Sequence, residues 1–285
     1  MKINAFTTDE DKYLQRLKTL ALTPKIVYSI GNPPTVSKLS VAIVGTRRPT
    51  AYGKRVSFDF AYKLATQGII VVSGLAYGID AAAHRGALAA KGQTIAVLAH
   101  GLDSIYPTSH TKLADEITYY GGCVISEYTE GTPIMKHRFL ERNRIVSGLA
   151  DALLVIEAGE QSGTTSTIQY ALEQGKEVFA VPGPIDSPAS AGTNRLIQQG
   201  AHPALSVQDI LDVIAPGRIA LDTLPEGDTP AETQLLQLIY KGTSNNQQLF
   251  IASAFDPSLF AQTLTMLEIR GRIRRNQSSE WSLIR

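Results

Sequence analysis

The sequence predicts an α/β fold: a doubly wound, mostly parallel, Rossmann-like sheet with a small C-terminal winged-helix-like domain. Three observations point there. From residue 41 onward, short apolar runs rich in Val and Ile recur without polar alternation, the pattern of strands buried on both faces. Helical segments of suitable length separate those runs, and strand–helix alternation implies a parallel sheet with right-handed crossovers. Residues 231–285 then switch to helix, helix and hairpin.

In chain order, residues 1–38 read as a short N-terminal helical lead-in, because Leu14, Leu17 and Leu20 recur every three residues before the Pro-rich GNPPT. Residues 39–214 form the Rossmann-like domain. Its strands are expected in VAIVGT (41–46), IIVVSG (69–74), TIAVLAHG (94–101), CVISEY (123–128), ALLVIEA (152–158) and EVFAVPG (177–183). Helices are expected over 51–67, 79–91, 138–149 and 164–174. Residues 215–230, with three prolines and two glycines, read as a linker. The winged-helix-like segment 231–285 closes on LEIRGRIRRNQSSEWSLI, read as strand, polar turn, strand.

Bulk properties narrow the class. An apolar fraction of 44% describes a globular protein, and no run approaches the roughly 18 apolar residues of a membrane span. The polar, acidic start MKINAFTTDEDKYLQRL does not resemble a signal peptide. A single cysteine, Cys123, cannot form an internal disulfide and fits a reducing compartment, so a cytoplasmic location without membrane association is expected. The net charge of +1 attracts nothing by itself, so a nucleic-acid binder must concentrate cations locally. Lys136 to Arg144 and Arg270 to Arg275 do so.

Doubly wound sheets bind ligands beyond the carboxyl ends of their strands. Four such ends carry small residues near helix starts: VGTRRPTAYG, SGLAYGIDAAAHRGAL, EAGEQSGTTSTIQYAL and VPGPI. Free backbone N–H groups at helix N-termini hold phosphates. None of the four is a P-loop, and none has the G-x-G-x-x-G spacing of dinucleotide binders. In MKHRFLERNRIVSGL, Lys136, Arg138, Arg142 and Arg144 surround Phe139 and Asn143. Single-stranded nucleic acid wants that mixture: cations for its backbone and a ring for its bases. The alternative is that Phe139 is a core residue and the arginines bond to Glu127, Glu141 or Glu157. The five histidines show no paired metal spacing, one cysteine cannot build a zinc site, and no G-x-S-x-G elbow is present. Asp80, Glu127 and Glu157 could pose as bases, but fixing arginines and N–H groups is their plainer role. Neither a cofactor, a metal nor a catalytic residue is expected.

The strings VGTRRPTAYG, SGLAYGIDAAAHRGAL, FLERNRIVSGLADALLVIEA, SGTTSTIQYALEQGKEVFAVPGP and GTNRLIQQGA, in this order over residues 41–205, resemble the DprA/Smf family of DNA-processing proteins. The resemblance implies a Rossmann-like fold, single-stranded DNA binding, homodimerisation through that domain, and loading of a RecA-type recombinase onto incoming DNA. It implies no enzymatic activity. Carried over residue by residue, Arg47, Lys136, Phe139, Arg142, Asn143 and Arg144 would contact DNA. Gly74, Ser162, Gly163 and Thr164 would donate to phosphate. This chain departs from the family pattern at Leu140, where proline is common, at Thr164 to Thr167, and in its short N-terminal region. A nucleotide phosphoribohydrolase of the LOG, lysine-decarboxylase-like class shares the layout, but its catalytic glutamate has no counterpart in EQSGTTSTI. A double-stranded-DNA or protein-interaction role for the C-terminal module, through Arg270, Arg272, Arg274 and Arg275, could coexist with the main reading.

Overall fold

The computed structural model describes residues 2–34, 38–160, 162–216, 227–240, 243–275 and 280–283. The chain falls into two compact units, Met1–Arg218 and Ile219–Arg285. Most of the expected linker, at 217–226, and the expected polar turn at 276–279 lie outside the described residues.

The first unit runs β1 (Ile3–Thr7), a 3₁₀ turn (Leu14–Thr19), β2 (Ile26–Ile30), β3 (Ser40–Val44), α1 (Ala51–Thr66), β4 (Ile70–Ser73), α2 (Ile79–Ala89) and β5 (Thr94–Val97). It continues through α3 (Thr111–Tyr119), β6 (Cys123–Ser126), α4 (Lys136–Gly148), β7 (Ala152–Val155) and α5 (Thr164–Glu173). It ends with β8 (Glu177–Ala180), α6 (Ala191–Gln198), β9 (His202–Pro203) and α7 (Val207–Ile214). The strands form one sheet in the order β1-β2-β6-β5-β4-β3-β7-β8-β9. From β6 to β9 every pairing is parallel. The central strands are buried on both sides, as their unbroken apolar runs require: every residue of β3, β4, β5, β6 and β7 is buried. Side chains alternate across the sheet, so Ile95 and Val97 join one core layer, with α4 and α5. Ala96 and Leu98 join the other, with α2 and α3.

The N-terminal region corrects the expectation of a helical lead-in. β1 and β2 pair antiparallel, and β2 pairs antiparallel with β6, so residues 3–30 extend the sheet at its edge. The every-third-residue leucines belong to the 3₁₀ turn between them, whose three residues per turn put i and i+3 on one side. Leu14, Leu17 and Leu20 are buried in the core layer under α4. They pack so closely on that helix that a Cβ at Gly148 would lie 2.9 Å from a Leu20 methyl. Arg16 ties the segment down through Asp151, at 2.9 Å, and the Leu149 carbonyl.

The second unit contains α8 (Pro230–Tyr240), α9 (Asn246–Ser253), α10 (Pro257–Ile269), β10 (Ile273–Arg275) and β11 (Trp281–Leu283). The two strands pair antiparallel. Asn245 and Asp256 cap α9 and α10 through their side chains, which satisfies amides that a helix start leaves open. Leu235, Leu236, Leu249, Phe260, Leu264, Leu267, Ile273 and Trp281 form a core of their own.

Candidate nucleic-acid interface

The strand order fixes where a ligand can bind. The chain steps from β3 to β4, β5 and β6 on one side, then returns to β7, β8 and β9 on the other. The order therefore reverses between β3 and β7, and the crevice at a reversal lies past the carboxyl ends of the two strands. Gly45 to Arg48 follow β3 there, and Ile156 and Glu157 follow β7. The Thr46 amide donates to the Glu157 carbonyl at 2.8 Å and joins the two ends.

Carboxylates and an amide side chain already fill most of the expected phosphate loops. Buried Glu157 accepts from the Thr50 amide, at 2.9 Å, and from the Thr50 hydroxyl, at the start of α1. Thr50 Oγ1 in turn accepts from the Gly53 amide. A Cβ at Gly53 would lie 2.3 Å from the Glu157 carboxyl, so only glycine admits this cap. In the second loop, Asp80 accepts from the amides of Gly74, at 3.1 Å, and Ala76, at 3.3 Å. In the fourth, Asn194 accepts from the Gly183 amide and donates to its carbonyl. The third differs. Ser162 accepts from the Thr164 amide and donates to its hydroxyl, while Gly163 is exposed and a Cβ there would meet nothing within 4 Å.

The cations divide into a buried group and an open one. Arg142 is 3% exposed. It donates to the carbonyls of Gly74, at 2.8 Å, and Val97, and to Asn143 Oδ1 at 3.3 Å. A Cβ at Gly74 would sit 2.7 Å from that guanidinium. Gly74 thus bridges the pair: its carbonyl takes Arg142 and its amide takes Asp80. Burial pushes the Asp80 carboxyl up from its usual range, against the opposing charge of Arg142. Burial also brings Arg142 down to about 10, which leaves it charged near neutrality. Arg144 makes a two-pronged ion pair with Glu127, at 2.6 and 2.7 Å, and reaches the Leu22 carbonyl on the N-terminal segment. Asn143 donates to Ser166 Oγ and links α4 to α5.

The geometry therefore turns three of the expected contacts toward the protein. Arg142 donates inside it through Nε and Nη1, and Arg144 through Nε and both terminal nitrogens. The Gly74 amide is turned to Asp80 rather than outward.

What stays open is a ledge at the mouth of the crevice. Arg47 is exposed, with its guanidinium 5.2 Å above the Phe139 ring. Half-buried Phe139 lies in the first turn of α4, with Arg142 at 5.9 Å. Exposed Lys136, three residues earlier, begins the same helix, where residues three apart are neighbours. Tyr106 meets Phe139 edge-on at 5.9 Å and meets buried His100 at 6.5 Å. Beside the ledge, Arg47, Arg48, Pro49, Lys54, Tyr77 and Gly78 line an open pocket of about 510 Å³. Sequence reasoning missed Tyr77, Tyr106, Arg48 and Lys54. Arg48 and Tyr77 fall within the glycine-bearing turns and Lys54 and Tyr106 outside them, and nothing local marks the four as converging.

In the second unit, Arg270 is held by Asp228 and Glu232, and Arg275 lies 4.7 Å over the Trp281 ring. Arg274, between Ile273 and Arg275 on β10, is exposed. Among the described residues, no group of three or more His, Cys, Asp or Glu could hold a metal ion. Nor is any described helix long and apolar enough to cross a membrane.

The family model for DNA recombination-mediator protein A matches residues 4–215. That span holds all nine strands of the sheet but for Ile3, and the ledge. The chain belongs to this family. It is 37% identical over 284 residues to the putative DNA processing protein DprA of Mycobacterium tuberculosis, covering 95% of this chain and 71% of that one. Protein Smf of Escherichia coli is 40% identical over 76% of this chain and 58% of its own. Among solved DprA structures, the Streptococcus pneumoniae protein superposes with a TM-score of 0.69 at 38% identity, covering 75% of each chain. The Helicobacter pylori protein, whose structure describes its single-stranded DNA binding mode, gives 0.67 at 33% identity, over 74% of this chain and 95% of that one. This DprA-family chain thus shares the Rossmann-like sheet of its solved relatives.

Proposed function

We propose that the chain binds single-stranded DNA on the Arg47–Phe139 ledge, protects it, and passes it to a RecA-type recombinase. The observation that carries the reading is an exposed guanidinium held over an aromatic ring at the reversal of the strand order. Arg47, Arg48, Lys54 and Lys136 supply cations for the backbone, while Phe139, Tyr106 and Tyr77 offer faces or edges for unpaired bases. A duplex keeps its bases stacked inside, so rings on such a ledge gain nothing from it. Ser162, Gly163 and Thr164 supply the loop that receives a further phosphate, at the start of α5. The single-stranded DNA bound by the Helicobacter pylori relative supports the same ligand here. Recombinase loading, a homodimer formed through the sheet-containing unit and a cytoplasmic location complete the proposal and rest on family membership.

Fluorescence anisotropy of labelled single- and double-stranded oligonucleotides across a salt series tests it. Expected are tight single-strand binding, weak duplex binding and a log–log salt slope of about −0.7 for each phosphate neutralised. Equal affinity for the two forms, or no dependence on salt, would sink the reading.

A further inference from the structure

Helix α1 leaves the pocket with an exposed aromatic stripe that the core does not use. Ser57, Phe60, Ala61, Leu64 and Ala65 face inward. Tyr52, Phe58 and Tyr62 instead stand 41%, 36% and 42% exposed. Positions 52, 55, 58 and 62 lie three or four apart and so share one face. The Phe58 and Tyr62 rings are nearly parallel, 12° apart with centroids at 6.4 Å. Arg55 sits between them and Tyr52, its guanidinium 5.7 Å over the Tyr52 ring. At the pocket end, exposed Lys54 belongs to both features, since it also lines the pocket with Arg47 and Arg48. One carboxylate, Asp59, lies on this helix.

We propose that the single strand does not end at the pocket but continues along α1. Its bases would stack on Tyr52 and on the Phe58–Tyr62 pair, and its phosphates would follow Arg48, Lys54 and Arg55. The inference rests on the pocket reading and lengthens that site. Charge and continuity select the occupant. Rings interleaved with cations accept unpaired bases of any sequence, and the stripe adjoins a cationic pocket through a shared lysine. From Ala51 to Tyr62 the helix rises about 16 Å at 1.5 Å per residue. That length accommodates at most about five nucleotides at the 3.4 Å spacing of stacked bases.

The test compares the intact chain with a Phe58→Ala/Tyr62→Ala variant and with Arg55→Gln, using oligothymidylates of about six and about sixteen nucleotides. All three positions are exposed, so folding is expected to survive. The intact chain should bind the longer strand more tightly. The double variant should bind the short strand normally and lose at least about fivefold on the long one. Arg55→Gln should reduce the salt slope by about 0.7 on the long strand only. Unchanged long-strand affinity, equal losses at both lengths, or no length advantage in the intact chain would overturn the track and leave the pocket reading standing. A change in self-association with unchanged DNA binding would assign the stripe to a second copy of the chain and overturn it too. If the intact chain bound neither strand, the pocket reading would fail first.

Discussion

Arg142→Ala separates a positioning arginine from a phosphate-binding one. The substitution removes a guanidinium that is 3% exposed and engaged by the Gly74 and Val97 carbonyls. It also leaves Asp80 buried without its nearest opposing charge. Two carbonyls without a donor cost about 1–3 kcal/mol each when nothing replaces it. Stripping the partner from a buried charge costs about 3–5 kcal/mol. These losses overlap, and Asp80 can limit them by taking up a proton, so about 3–5 kcal/mol is the expected total. For a unit of this size each kcal/mol lowers the melting temperature by about 2–4 °C, so a fall of roughly 10 °C is expected. The sign with pH follows from Asp80. Its folded pKa lies above the unfolded value, so the folded state holds the extra proton and loses stability as pH rises through that window. Without Arg142 the shift grows, and the gap between variant and parent should narrow as pH falls.

Far-UV circular dichroism in a urea or thermal series is the appropriate assay, because the chain's one tryptophan, Trp281, sits in the core of the second unit and does not report on the sheet. Arg47→Ala is the control. That side chain is exposed, so its loss should leave the transition within about 0.5 kcal/mol while reducing the DNA salt slope by about 0.7. An Arg142→Ala protein with an unshifted transition and a reduced salt slope would refute the positioning role and return Arg142 to the phosphate contacts.

Phe139→Ala should weaken single-strand binding by about 1–3 kcal/mol with an unchanged salt slope in anisotropy, since stacking releases no counterions; normal binding would make Phe139 a packing residue. Gly53→Ala places a methyl 2.3 Å from the Glu157 carboxyl and should cost about 1–3 kcal/mol by thermal melt; an unshifted melt would contradict the close cap. His84 is fully buried, and its pKa is brought down to about 3 by burial, with His110, Arg142 and Arg85 adding repulsion. Between that value and the ordinary 6.5 the unfolded chain binds the extra proton, so His84 lowers stability by up to about 1.4 kcal/mol per pH unit as pH falls. His84→Gln should remove that slope in urea titrations at several pH values. Burial pushes the Cys123 thiol up to about 12, so a disulfide reagent should label it only under denaturing conditions; rapid labelling of the folded chain would contradict its burial.

The sheet was legible because its central strands obey one rule. Strands such as ALLV in β7 are covered on both faces and read as unbroken apolar runs. β1 and β2 were illegible for the matching reason. INAFT is the edge strand and IVYSI the strand beside it, both with partly exposed residues, and the leucines between them repeat at a spacing that helix and 3₁₀ turn share. At the site, residue type was readable and orientation was not. Arg142, Asn143 and Arg144 are adjacent in sequence, yet a helix sends consecutive residues about 100° apart. One enters the protein, one crosses to α5 and one turns to Glu127. The ledge needed Arg47 from the turn after β3, Phe139 from α4, Tyr106 from the loop after β5 and Tyr77 from the turn before α2. Only the strand order brings these four together.

The filled loops explain why a fold built for phosphates can leave its glycine turns to the protein itself. A buried anion at a helix start takes the amides and the favourable end of the helix dipole, as a bound phosphate would. Glu157 does this at α1, and Asp80 does it with the amides of Gly74 and Ala76. Each carboxylate rigidifies a turn without a ligand, and each makes that turn repel a phosphate. The turns before α1 and α2 thus keep their geometry but not their anion-binding amides, and the open cations stand outside them, on Arg47, Arg48, Lys54 and Lys136. A small nucleotide would need the amides deep in the crevice. A long polyanion needs only an outer line of cations with rings between them, which is the arrangement this surface presents.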